Sequence, residues 1–232
     1  MFLGLAILAG TALAETAAET AVRKIIEPRL GDEAKVDSVT KTPYGGLFEI
    51  RTGNEILYTD DKAQYLFVGR VLDSKTLQDY TKARQDELSR IRFSDLPLDS
   101  AMKMVKGNGK RVIAVFEDPN CSYCKKFRQT LQDVDNVTVY TFMYNILAPD
   151  SAVKSKNIWC TADRSKAWDD WMLTGKAAPT APANCNTPND KIFALGQKMH
   201  ITGTPTVFFT DGTRVPGAIE KAALEARLAM VK

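Results

Sequence analysis

One stretch constrains this chain more than any other. Arg111-Val112-Ile113-Ala114-Val115-Phe116 is apolar after its first residue, and Cys121-Ser122-Tyr123-Cys124 follows it after the short loop Glu117-Asp118-Pro119-Asn120. A continuous apolar run of this kind belongs to a strand buried on both faces, so the fold must supply a covering layer on each side. Beyond Cys121, Phe127, Leu131 and Val134 recur at helical spacing, and Val137 to Tyr144 reads as a second strand. Strand, helix and strand in this order make a βαβ unit, expected to be right-handed. Cys121 is thereby placed at the carboxyl end of a buried strand and the amino end of a helix.

That position gives the two cysteines different expected chemistry. At a helix start the spacing of Cys121 and Cys124 brings their sulfurs within bonding reach, and the first sulfur lies over the unpaired amides of the first turn. Those amides, the helix dipole and the neighbouring Lys125 and Lys126 should lower the pKa of Cys121 and make it nucleophilic at neutral pH. Cys124, one turn in, is the natural resolving thiol. A c-type haem site needs histidine where Lys125 stands, and a tetrahedral zinc site needs two more ligands where no second C-x-x-C exists. An inert structural disulfide stays open at this level. No cofactor and no metal is expected.

The compartment decides what the cysteines mean. Residues 1 to 14 carry no charge, are largely apolar and end in Ala12-Leu13-Ala14, an A-x-A cleavage pattern. A signal peptide cleaved after Ala14 is expected, although no basic residue precedes Arg23. The mature chain should then work where disulfides persist. Lys and Arg total 31 against 28 Asp and Glu, which gives no concentrated basic surface for nucleic acid. Cys160 and Cys185, on an expected helix and in a long Pro/Ala/Asn-rich loop, read as a loop staple. Closing a loop of about 25 residues is worth roughly 3.5 kcal/mol in the chain-entropy model.

The rest of the chain supplies the frame. Residues 15–73 read as a small domain: a helix over Thr20 to Leu30 broken by Pro28, then strand signals at Leu47 to Arg51, Glu55 to Thr59 and Gln64 to Val71. So small a domain has little core and open sheet edges, which pairing with a second copy or packing on its own neighbour would cover. Residues 74–100 read as a linker, with a charged helix over Lys75 to Arg92 whose narrow apolar stripe is Leu77, Tyr80, Leu88 and Ile91. Residues 101–232 form the second domain. After the βαβ unit it should contain helices around Ser151 to Ala162, Ser165 to Leu173 and Asp190 to Met199. The sequence Gly203-Thr204-Pro205-Thr206 then opens a hairpin of Thr206 to Thr210 and Thr213 to Val215, and a last helix starts near Ala218.

The order of strand, C-x-x-C, helix, strand, helical insertion, Gly-Thr-Pro, hairpin and helix resembles the thioredoxin fold. With the small first domain, the linker and the export signal, the mature chain is similar to the DsbC and DsbG family of periplasmic disulfide isomerases. The likeness rests on Phe116 to Cys124, on Ile158-Trp159-Cys160 with Cys185, on Gly203-Thr204-Pro205 and on Asp211 to Gly217, and more loosely on Ile56 to Asp61 and the run ending at Gly69. It implies an α+β first domain that dimerises near Gly69 and an α/β thioredoxin domain with a helical insertion. Cys121 would attack wrong disulfides, Cys124 would release the mixed disulfide, and Cys160–Cys185 would be structural. Pro205 would be cis, with the Thr204 backbone pairing with bound substrate beside Ser122 and Tyr123. The partners implied are misfolded exported proteins, held in an apolar cleft, and a membrane disulfide reductase of the DsbD kind. A dithiol oxidase and a DsbG-like chaperone or sulfenic-acid reductase are the competing activities. The buried strand aspartate of thioredoxin falls at Val115 here, which leaves Glu117 or Asp118 to take over as proton acceptor.

Overall fold

The computed structural model describes residues 14–31, 35–53 and 55–231, so the expected signal peptide, apart from Ala14, lies outside the described residues. The chain divides between Gln85 and Asp86 into two compact units.

In the first unit, helix α1 (Ala17–Leu30) starts in a capping box: the Thr16 side chain accepts from the Glu19 amide, and Glu19 reaches back to the Thr16 amide. It does not break at Pro28. Pro28 sits in the last turn, where Arg29 donates to the Ala63 carbonyl at 2.7 Å and Leu30 packs on the core, so tertiary contacts carry the helix to Leu30. Four antiparallel strands follow in meander order: β1 (Ser38–Lys41), β2 (Phe48–Thr52), β3 (Glu55–Thr59) and β4 (Leu66–Val68). Val22 and Ile26, one turn apart on α1, pack on Val39, Phe48 and Ile50. The opposite face carries Glu49 and Tyr58, which meet Arg84 and Thr81 of α2 (Tyr80–Leu88) at 3.2 and 2.7 Å. The helix expected over 75–92 is therefore much shorter. Leu77, taken as part of its stripe, lies in a turn at φ 58 and is exposed, because Asp73 accepts the amides of Lys75 and Thr76 and holds that segment as a loop.

The second unit is built on a five-stranded sheet in the order β5-β7-β6-β8-β9. Its strands are β5 (Met102–Lys106), β6 (Arg111–Glu117), β7 (Val137–Met143), β8 (Thr206–Phe209) and β9 (Arg214–Pro216); only β6 and β7 run parallel. The central β6 is covered on both sides, as its apolar run requires. Ile113 and Val115 face Phe127 and Leu131 of α3 (Ser122–Gln132) and Leu224 and Leu228 of α7 (Lys221–Met230). Ala114 and Phe116 face Phe142, Phe208, Leu96 and Ile192 of α6 (Asn189–Lys198). Each such apolar side chain contributes about 1.5–3 kcal/mol on full burial. The insertion after β7 is α4 (Ser151–Trp159) and α5 (Arg164–Asp169), the latter running into a π-turn at Asp170–Thr174. Gly212, in the β8–β9 loop, has φ +83, and any Cβ there would lie 2.0 Å from the Ile91 carbonyl oxygen. That loop is longer than the two-residue hairpin expected, and α7 starts three residues later than read. Among the described residues, no helix is long and apolar enough to cross a membrane.

Candidate active site

Cys121 is the N-cap of α3, and its sulfur accepts the Cys124 amide at 3.1 Å. The same sulfur lies 3.2 Å from the Thr204 carbonyl oxygen, which brings the Thr204–Pro205 loop against it; the peptide bond before Pro205 is cis. Cys121 and Cys124 are free thiols with little or no exposure, whereas Ser122 and Tyr123 between them face solvent. Cys121 and Cys124 belong to one buried cluster with Met102, Met143, Trp159, Trp168 and Met172, so β5, β7 and the insertion all contribute to the surroundings of the site.

The two thiols are pushed in opposite directions. The Cys124 thiol, then Thr204 and the amides of Cys124 and Tyr123, bring the Cys121 pKa down to about 6, against the effect of burial. Burial, then the hydrogen bond with Cys121 and the charge of Glu117, raise Cys124 far above an ordinary thiol. Neither Lys125 nor Lys126 is among the principal causes of the lowered Cys121 pKa, and each amine has a partner of its own: Lys125 lies over the Trp171 ring at 5.3 Å, and Lys126 pairs with Glu220 at 2.8 Å.

The two candidate carboxylates also separate. Asp118 accepts four hydrogen bonds, from the Asn120 amide and the Ser151 hydroxyl on Oδ1 and from the Ile146 and Leu147 amides on Oδ2, all at 2.8–3.0 Å. It ties the loop before Cys121 to the segment before α4. Asn120 extends that tie to Asp150 and Lys154, and the Trp171 indole donates to the Pro119 carbonyl at 2.7 Å. Glu117 is fully buried, and its Oε2 accepts the Trp168 indole N–H at 3.1 Å. Its Oε1 has no hydrogen-bond partner among the described residues. Burial raises its pKa to about 7, with Arg128 opposing the rise.

Sequence reading missed Arg128, Asp169 and Trp168. Arg128 had a usable signal, since it stands four residues after Cys124 and falls with Phe127 and Leu131 on the buried face of α3. Trp168 and Asp169 had none, because only the return of the insertion brings α5 to β6. Cys160, the C-cap of α4, is bonded to Cys185 with their Cα atoms 6.2 Å apart, the pairing expected of a staple.

Comparison with known proteins agrees with this geometry. Residues 98–232 match the thioredoxin-like domain family, and residues 13–82 match the disulfide bond isomerase protein N-terminal domain. A probable thiol:disulfide interchange protein DsbC of Bordetella pertussis is 51% identical over 193 residues, covering 83% of this chain and 68% of the relative. The DsbC of Escherichia coli K12 is 29% identical over 188 residues, covering 79% and 77%. A crystal structure of a disulfide interchange protein from Neisseria gonorrhoeae superposes with a TM-score of 0.56 at 40% identity, over 59% of this chain and 98% of that one. The chain belongs to the DsbC family of thiol:disulfide interchange proteins.

Proposed function

We propose that this chain rearranges wrong disulfides in exported proteins in the periplasm, with Cys121 as nucleophile and Cys124 as resolving thiol. The opposite displacement of the two thiols carries this reading. With a pKa of about 6, Cys121 is mostly thiolate at neutral pH, while Cys124 keeps its proton. The Cys121 thiolate attacks one sulfur of a substrate disulfide; a Cys121–substrate bond forms, and the electron pair leaves on the other substrate sulfur. A low-pKa thiol is also a good leaving group, so a substrate thiolate can displace Cys121 again and complete an isomerisation with no net redox change. When no substrate thiol does so, Cys124 gives its proton to Glu117 and attacks Cys121. The Cys121–Cys124 disulfide forms, and the substrate leaves as a thiolate. A membrane disulfide reductase of the DsbD kind then returns the pair to dithiol.

The Thr204 backbone beside the Cys121 sulfur, with Pro205, Ser122 and Tyr123 around it, is the place where an extended substrate segment pairs. Assembly is assigned to residues 15–73, which lie within the first unit, joined by 74–100 to the catalytic part at 101–232. There Leu66, Phe67 and Val68 of β4 are 42, 47 and 83% exposed on a strand that, among the described residues, is bonded only to β3. An apolar open edge of this kind is suited to pairing with the same edge of a second copy.

Alkylation trapping of exported material tests the reading. A Cys121–Cys124 pair held as dithiol beside an oxidised Cys160–Cys185 pair is expected; a mainly oxidised Cys121–Cys124 pool would assign the chain to disulfide donation instead.

A further inference from the structure

Arg128 is wholly buried, yet it is divided unequally between two carboxylates. Its Nε donates to Asp169 Oδ1 at 3.1 Å, and its Nη2 also bonds that oxygen. Its Nη1 stands 3.9 Å from Glu117 Oε2, too far for a hydrogen bond, and is left unpaired, as is Glu117 Oε1. Nη1 thus stands beside the buried Glu117 carboxyl without bonding it, a costly arrangement unless another group holds the guanidinium. Asp169 takes its other two nitrogens. It follows directly on Trp168, whose indole bonds Glu117, so both residues that fix the surroundings of this carboxyl come from adjacent positions of α5.

The charged and titratable groups around Glu117 are Arg128, Cys121 and Cys124 from α3 and Asp169 from α5; Trp168 adds its N–H. Of these only Arg128 is cationic. Drawn fully onto Glu117, it would hold that carboxyl ionised and unable to accept a proton. We propose that Asp169 is a positioning residue for the release step: by claiming Arg128 it keeps Glu117 without a bonded ion-pair partner, and so able to take the Cys124 proton. This rests on Glu117 being the acceptor. The step balances: the Cys124 proton goes to Glu117, the Cys121–Cys124 bond forms as the Cys121–substrate bond breaks, and the leaving thiolate recovers the proton from Glu117 or from water.

The test uses the mixed disulfide of Cys121 with thionitrobenzoate. Its release by Cys124 is followed by absorbance against pH in the full chain. The native protein should show an inflection at about pH 7, set by Glu117. Glu117→Gln should remove it. Asp169→Asn, which frees Arg128 for Glu117, should move it to lower pH by at least about one unit, a tenfold change in proton affinity. Asp169→Glu should restore it. Arg128→Gln should move it upward, which gives a reading of opposite sign should Asp169→Asn fail to fold. An inflection that survives Glu117→Gln would remove the acceptor role and Asp169's part with it. An inflection abolished by Glu117→Gln but unmoved by Asp169→Asn would overturn the Asp169 proposal alone, as would a rate lowered equally at every pH.

Discussion

Replacing Cys124 with alanine deletes the largest single cause of the lowered Cys121 pKa, and alkylation of Cys121 by iodoacetamide across pH makes that loss measurable. With a pKa of about 6 in place of the usual 9.0, Cys121 has about 90-fold more thiolate at pH 7 than an ordinary cysteine. Its intrinsic nucleophilicity falls with pKa at a Brønsted slope of 0.4–0.5, about 15–30-fold over this interval. The net rate advantage at pH 7 is therefore only about 3–6-fold, but at pH 5, where both thiolates are minor species, it grows to about 30–60-fold. The profile of native Cys121 should level off above pH 6, whereas an ordinary thiol keeps accelerating up to about pH 9. Cys124→Ala should move the plateau upward in pH, with the Thr204 contact and the helix amides retaining part of the effect. A Cys121 plateau left in place by Cys124→Ala would mean that the amides alone lower the pKa, and the assigned order of causes would be wrong.

Other consequences follow from individual groups. Glu117 has its folded pKa raised above the unfolded value, so its contribution to stability is present below about 4.5 and is lost as pH rises through about 7. Glu117→Gln should thus stabilise the reduced protein by about 3 kcal/mol at pH 8, and by little at pH 4, as read from urea midpoints at the two pH values. Removing Cys160 and Cys185 together should cost roughly 3.5 kcal/mol of stability by the same urea assay, with thiolate chemistry at Cys121 unchanged. Placing lysine at both Phe67 and Val68 should halve the particle mass in light scattering if β4 is the pairing edge; an unchanged mass would move the interface elsewhere.

The legibility of this chain follows the locality of its signals. The apolar run of β6, the helical spacing after Cys121 and the proline before β8 are short-range features, and they led to the central strand, the cysteine at the helix start and the loop that meets it. β5 went unread although Met102-Lys103-Met104-Val105-Lys106 alternates, because it pairs with β7, some 30 residues on, and not with its neighbour β6. The linker helix is shorter than its composition suggests because the Asp73 side chain holds a turn over Lys75 and Thr76, while Asp79 accepts the Lys82 amide and starts the helix only at Tyr80. Glu117 and Asp118, adjacent and chemically alike, could not be told apart in sequence. Their difference arises from which face of the strand end each occupies: Asp118 meets the backbone amides of Ile146 and Leu147 after β7, and Glu117 meets a tryptophan of the distant α5 and an arginine of α3. Lys125 and Lys126 illustrate the converse, since their proximity in sequence to Cys121 leaves unstated the partners that the fold gives them, Trp171 and Glu220.

The assigned activity is tested most directly by refolding a scrambled multi-disulfide protein with native chain, Cys121→Ala and Cys124→Ala under anaerobic conditions. Recovery of native pairing should be lost entirely with Cys121→Ala and retained in part with Cys124→Ala, which still attacks but cannot release itself from stalled mixed disulfides. Full rearrangement by Cys121→Ala would contradict the assignment of Cys121 as the nucleophile.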